Sequence, residues 1–293
     1  MLQLTGEKRK WLEEKARDIR VSIIEMLAEA ESGHPAGALG MADIFTALYF
    51  FILNHDPTNP MWEKRDRLVL SNGHICPVLY ATMAHAGYFP LEELKTLRKL
   101  GSRLQGHPDR RFLPFLETSS GPLGCGLSQS AGMCLADKIG NEKYFEKYFY
   151  CLLSDGELQE GNVWEGAQFA AKEGLQNLIA IIDRNNIQIE GYTEDIMPLE
   201  PLKRKWESFN WHVQEINGHD FKEIINAVER AQTVFDKPSV IIANTLPGKG
   251  ISFMENNFKW HGKAPNKKEA EIAIKELTDS NLSPKLEEGQ GGS

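Results

Sequence analysis

Apolar positions recur at helical spacing across residues 7–30, where Ile19, Ile23, Met26 and Leu27 fall on one face. The stretch "SGHPAGALG" interrupts that pattern, and "MADIFTALYFFIL" resumes it. Further along, short continuous apolar runs bounded by Gly, Asn and Asp read as buried strands: "DRLVLSNGH", "YFYCLLSDG", "NLIAIIDRNN", "HVQEING" and "PSVIIANTL". Helical patterns stand between them: "PVLYATMAHAGY", "PLEELKTLRKL", "MCLADKIG" behind the glycine-rich "SSGPLGCGLSQSAG", then "EGNVWEGAQFAAKEG" and "DFKEIINAVERAQ". Strands apolar on both faces, alternating with helices, predict an α/β fold: a parallel sheet with helices on both faces. No repeat or long linker divides the chain, so residues 1–280 are expected to form one domain. Residues 281–293 form a polar tail with too few apolar side chains to offset the entropy of ordering.

Composition narrows the function classes. The chain has 293 residues and a net charge of −8, with no basic stripe, which argues against a nucleic-acid partner. None of the four cysteines forms a C-x-x-C pair, so neither a zinc ribbon nor a dithiol redox motif is expected. The run "IFTALYFFIL" is about half the length that crosses a bilayer. The charged, helical N-terminus lacks the apolar core of a signal peptide. The expectation is a cytoplasmic chain with no membrane partner.

Candidate chemistry gathers where strands end. In open parallel sheets, ligands sit beyond the carboxyl ends of the strands. Asp155, in "SDGELQEG", stands at such an end, and Asn185, in "IIDRNNIQI", stands at the next. One helix lies between them, and a right-handed crossover brings both to the same edge. One carboxylate, one amide oxygen and a backbone carbonyl suit Mg²⁺ when phosphate oxygens complete its octahedron. Gly156 lets backbone come near such a ligand. Taken singly, the D-G and N-N dipeptides more often mean a helix cap and a turn. Four of the eight histidines directly follow a glycine, which implies tight turns presenting imidazoles at an edge. For His55, His85, His212 and His219 a structural role is the default. No H-x-x-x-H pair points to a zinc site.

The stretch "SDGELQEGNVWEGAQFAAKEGLQNLIAIIDRNN" resembles the thiamine diphosphate motif, which runs from G-D-G to a terminal N-N over about thirty residues; here Ser154 replaces the first glycine. "ESGHPAGALGMADI", "RLVLSNGHICPVLYA", "LGSRLQGHPD", "SSGPLGCGLSQSAGM", "INGHDFKEI" and "LPGKGISFMENNFKWHG" resemble further landmarks of the transketolase family, in family order, over roughly residues 10–265. The resemblance implies thiamine diphosphate and Mg²⁺ as cofactors. It implies that Asp155, Asn185 and the carbonyl of Ile187 hold the metal. His74 and His261 would bond the diphosphate, with Gly156 and Asn185 beside it. Gly121, Pro122 and Leu123 would pass against the thiamine body. His34, His107 and His261 would face the reacting sugar, where imidazoles suit proton movement near neutral pH. Glu160 would stand at a subunit contact near the cofactor-activating carboxylate; the bland alternative for Glu160 and Glu165 is a solvated helix start. Lys249, in "PGKG", carries no assignment.

A single-chain transketolase is more than twice this long, and its later domains supply the pyrimidine site and the grip on the sugar phosphate. The resemblance therefore implies a split enzyme. This chain would be the N-terminal subunit, its partner would be a separate C-terminal transketolase subunit, and the two would form a heterotetramer with two copies of each. Together they would move a two-carbon ketol unit from a ketose phosphate to an aldose phosphate, as in the pentose phosphate pathway; a truncated longer chain reads identically. Alternatives are a transketolase for an unusual sugar, a deoxyxylulose-phosphate synthase, a 2-oxo acid dehydrogenase α subunit, or a regulatory subunit that binds cofactor without turnover. A nicotinamide dehydrogenase is disfavoured, because "GPLGCG" is no G-x-G-x-x-G following a strand.

Overall fold

A computed structural model describes residues 4–140 and 147–279. The tail 281–293 therefore lies outside the described residues. Among the described residues there are seven strands: β1 (Arg67–Leu70), β2 (Phe149–Ser154), β3 (Leu178–Arg184), β4 (Ile187–Gln188), β5 (Gly191–Tyr192), β6 (His212–Asn217) and β7 (Ser239–Asn244). Five form one sheet in the order β1-β2-β3-β7-β6, with every pairing parallel, while β4 and β5 make a small antiparallel hairpin. The helices are α1 (Gly6–Ala30), α2 (Pro35–Gly40), α3 (Ala42–Ala47), α4 (Cys76–His85), α5 (Cys125–Gly140), α6 (Gly161–Lys172), α7 (Thr193–Ile196), α8 (Leu202–Ser208), α9 (Phe221–Ala231) and α10 (Lys267–Thr278).

The central strands are buried throughout, and side-chain alternation sends their residues into two cores. Tyr150, Leu152, Ile179, Ile181 and Ile241 pack with residues of α1, α3, α4 and α9 on one face. Cys151, Leu153, Ala180, Ile182 and Val240 pack with α5, α6 and Trp206 of α8 on the other. Helix α1 starts at Thr5, whose side chain accepts from Lys8 N at 3.2 Å. Its buried stripe of Leu12, Ala16, Ile19, Ile23 and Leu27 keeps the predicted helical period. Among the described residues no helix is long and apolar enough to cross a membrane.

Two predicted helices differ in detail. "PLEELKTLRKL" forms only a 3₁₀ segment, Leu91–Thr96. The chain then turns at Arg98, whose φ of 60° no helix can continue. In contrast, α5 begins inside the glycine-rich stretch, at Cys125. Gly126 is needed there because a Cβ would stand 2.4 Å from Ser71 Cβ. The segment "MADIFTALYFFIL" continues α3 into a π-helical turn, Leu48–Ile52.

Candidate cofactor and active site

The carboxyl ends of β1, β2 and β3 open onto a cleft of about 460 Å³. Ten of the residues expected from sequence line it: His34, His74, His107, Gly121, Leu123, Gly156, Glu160, Asn185, Ile187 and His261. Pro122 lies in the same loop as Gly121 and Leu123 but is not a wall residue, and Asp155 is fully buried behind the wall.

Backbone geometry delivers each group. His34 is the residue before α2, set at the break that Gly33 makes with φ +134°. His74 rides a short 3₁₀ turn after β1, and His261 follows another, Phe258–Trp260. The ring centroids of His34 and His74 are 5.1 Å apart, those of His74 and His261 5.1 Å, and those of His34 and His261 5.6 Å. Burial pushes the His34 imidazole down to about 4, reinforced by His261, Arg98 and His107. Burial likewise takes His261 to about 4. His74 falls well below the ordinary range for the same reason, with His261 next in weight. His107 is lowered by burial and then by Arg98. At neutral pH these rings are uncharged, and each carries one N–H donor and one acceptor. The buried Nδ1 atoms of His34 and His261 have no partner among the described residues. A buried polar atom left unpaired is destabilising, so such atoms point to a ligand.

Asp155 and Asn185 follow the paired carboxyl ends of β2 and β3, at the same edge of the sheet. Asp155 Oδ1 accepts from Gly156 N at 2.7 Å, and Oδ2 accepts from Asn186 N at 2.7 Å and from Arg184 Nη1 at 3.1 Å. Burial raises the Asp155 carboxyl, and the Arg184 guanidinium opposes that. Asn185 Oδ1 accepts from Ile187 N at 3.0 Å, and its Nδ2 donates to Asp183 Oδ2 at 2.7 Å. Asp183 in turn takes the Thr245 hydroxyl, so a chain from β7 fixes the Asn185 amide. Among the described residues no group of three or more His, Cys, Asp or Glu side chains could hold a metal. A cation here would need one carboxylate, amide and carbonyl oxygens, and oxygens of the ligand itself. Beside Gly121, no atom lies within 4 Å of the place where a Cβ would stand. At Gly156 a Cβ would make only ordinary contact with Gln188, at 3.4 Å.

The family model for the transketolase thiamine diphosphate binding domain matches residues 12–281. This chain belongs to the transketolase family. It is 43% identical over 266 residues to the 6-deoxy-6-sulfo-D-fructose transketolase subunit SqwG of Clostridium sp. strain MSTE9, covering 91% of this chain and 96% of that one. It is 41% identical to an apulose-4-phosphate transketolase subunit from Actinobacillus succinogenes, covering 92% and 96%. Among solved structures it superposes on the transketolase of Campylobacter jejuni with a TM-score of 0.85 at 37% identity, over 92% of this chain and 43% of that chain. The transketolase fold and its thiamine diphosphate-binding domain thus account for the parallel sheet and for the cleft at its strand ends.

Three features escaped sequence reasoning. Glu157 is fully buried and accepts from Gly124 N at 2.6 Å, from Ser154 N at 3.1 Å and from the Ser71 hydroxyl. It joins the ends of β1 and β2 to the Gly121–Leu123 loop; an acid two residues past Asp155 was its only sequence signal. Gln188 lines the cleft with an unpartnered, buried Oε1. Arg184 bridges Asp155 to Glu194 at 2.7 Å and to Glu200 at 3.0 Å, a contact visible only in three dimensions. Three of the four histidines set aside as structural have side-chain partners in the protein. His55 contacts Tyr88 and Tyr49, His85 contacts Ser22, and His219 donates to Asp43 while accepting from Leu246 N. His212 stands outside the cleft, and its buried Nε2 has no partner among the described residues.

Proposed function

We propose that this chain is the N-terminal, thiamine diphosphate-binding subunit of a two-chain transketolase, and that a C-terminal subunit completes its active site. The observation that carries this reading is the cleft itself. Three neutral imidazoles converge on it within 5.6 Å of one another, two of them with unpartnered buried Nδ1 atoms, beside the adjoining ends of β2 and β3. The high coverage of relatives named as subunits supports the two-chain form. By length the chain matches under half of single-chain transketolases such as that of Campylobacter jejuni.

In this reading Asp155, Asn185 and the Ile187 carbonyl hold Mg²⁺. His74 and His261 donate to the diphosphate, whose charge suits N–H donors in a buried site. The Gly121, Pro122 and Leu123 loop lies against the thiamine body, where the open side of Gly121 leaves room. When bound, the cofactor supplies the carbanion chemistry. The chain's own contribution is to orient the ligand, exclude water and pass hydroxyl protons through His34, His107 and His261. Glu160, exposed at the cleft rim, faces the partner subunit. The assembly is a cytoplasmic heterotetramer with two copies of each chain, and it acts on sugar phosphates or close analogues.

A second reading concerns the sugar. The relatives quoted above are named for 6-deoxy-6-sulfofructose and apulose 4-phosphate, so an uncommon ketose is the natural alternative donor. The test is a ketol-transfer assay with Mg²⁺ and thiamine diphosphate, run on this chain alone and with the polypeptide that co-purifies from its native cells. The donors are xylulose 5-phosphate, 6-deoxy-6-sulfofructose and apulose 4-phosphate. Activity only in the mixture is expected. Activity of the chain alone refutes the two-chain reading, and no transfer from any donor in the mixture refutes the transketolase reading of this cleft.

A further inference from the structure

One side chain touches both of the loops that carry His34 and His107 into the cleft. Arg98 Nη1 donates to Ser32 Oγ at 2.7 Å, and Ser32 stands two residues before His34. Arg98 Nη2 donates to the carbonyl of Gly106 at 3.3 Å, and Gly106 immediately precedes His107. Those loops come from distant parts of the chain: one follows α1, the other lies between the 3₁₀ segment and α5. Among the described residues no other side chain is hydrogen-bonded to both.

The local structure is built around this contact. Arg98 has a left-handed backbone, φ 60°, which non-glycine residues adopt only under strain. That turn ends the 3₁₀ segment and swings the guanidinium back toward α1. Gly106 is the matching half: a Cβ there would stand 2.9 Å from Arg98 Nε and 3.0 Å from Cζ, so a larger residue would push the guanidinium from its present place. Beneath, the Cys76 thiol donates to the same Gly106 carbonyl at 3.2 Å, and the Tyr80 hydroxyl donates to Gln105 O at 2.9 Å. The neighbouring Lys99 pairs with Glu29 at the end of α1, which anchors the rim a second time.

We propose that Arg98 is a positioning residue, which ties the His34 loop to the His107 loop and sets the spacing of the two imidazoles in the cleft. The planar guanidinium is suited to this, since it donates in two directions from a rigid fork that a lysine lacks. The inference deepens the reading of the cleft as a ketol-transfer site and rests on it. The cation also favours the neutral form of both imidazoles: it is among the groups lowering His34 and the one group beside burial lowering His107. His34 additionally faces His74 and His261, both lowered chiefly by burial.

The test compares Arg98→Met and Arg98→Lys with wild type in the full chain, following the four cleft imidazoles by NMR pH titration. Arg98→Met should move His34 and His107 upward and move His74 and His261 less, His74 only through its coupling to His34 and His107. Arg98→Lys should restore most of that titration shift. Amide exchange in residues 32–34 and 104–107 should remain faster than wild type in both variants, because lysine supplies the charge without the two-way bridge. Paired with the co-purifying subunit, both variants should lose about 10- to 100-fold in kcat/KM with thiamine diphosphate affinity unchanged, the scale of a small misplacement of catalytic groups. Unchanged His34 and His107 titration in Arg98→Met, or equal movement of all four imidazoles, overturns the proposal. So does wild-type exchange in Arg98→Lys. These readouts need no cofactor, so their failure is distinct from a failure of ketol transfer by the wild-type pair.

Discussion

Replacing Glu157 by alanine tests whether the buried carboxylate organises the cleft. The side chain is fully buried and takes three donors: Gly124 N at 2.6 Å, Ser154 N at 3.1 Å and the Ser71 hydroxyl. In Glu157→Ala the hydroxyl can rotate, and it already accepts from Gly126 N at 3.0 Å. The two backbone N–H groups cannot re-aim. Leaving a buried donor unpaired costs about 1–3 kcal/mol, so the two together cost about 2–6 kcal/mol. Removing a carboxyl that burial already holds above its ordinary range returns part of this. The expected net loss is about 3 kcal/mol, a sizeable share of a typical domain stability of roughly 5–15 kcal/mol. Glu157→Gln keeps one acceptor oxygen but turns an NH₂ toward a donor, so about half that loss is expected. Urea denaturation at pH 7, followed by circular dichroism, should show a lower midpoint at an unchanged m-value. Thiamine diphosphate affinity should weaken in parallel, because Gly124 anchors the loop beside the cleft. A loss below about 1 kcal/mol for Glu157→Ala would refute the reasoning, since that is less than one orphaned donor.

Other outcomes follow from the same geometry. Asp155→Ala should abolish Mg²⁺-dependent binding of thiamine diphosphate in calorimetry, and full retention would remove Asp155 from the metal site. Stability should decline as pH falls from 6.5 to about 4, because burial depresses the His34 and His261 imidazoles and the folded chain binds fewer protons there. The contribution is present above the unfolded value and lost on acidification, at roughly 1–3 kcal/mol per imidazole. Asp66 and Glu117, raised by burial to about 6 and about 7, act in the opposite sense. The decisive comparison is therefore wild type against a His34→Gln, His261→Gln chain, whose slope in this window should be flatter. Gly248→Ala should lose about 3 kcal/mol in thermal or urea unfolding, since φ is +76° and the new Cβ would stand 2.5 Å from the backbone of Met254.

Much of the architecture was legible because burial leaves a periodic trace. The continuous apolar runs of β2 and β3 fit strands covered on both faces, and the stripe along α1 kept its period from Leu12 to Leu27. The forecast failed where one side chain or one turn overrode local pattern. Nothing in "PLEELKTLRKL" announces that Arg98 leaves helical geometry to reach Ser32, because the partner lies 66 residues away. Nor does "GCGLSQSAG" announce a helix, because the reason for Gly126 is Ser71, 55 residues away in sequence.

The site divides in the same way. The sequence by itself determined which chemistry is present: an acid and an amide at successive strand ends, imidazoles in tight turns, and motifs in transketolase order. Those are properties of local spacing, and spacing survives in one dimension. Only the tertiary structure decided that His34, His74 and His261 stand within 5.6 Å of one another. It alone decided that Glu157 is a buried tie, and that Arg184 and Arg98 each join segments which the sequence keeps apart. Hydrogen bonds and burial depend on distance in space, and the chain closes those distances only after its sheet has formed.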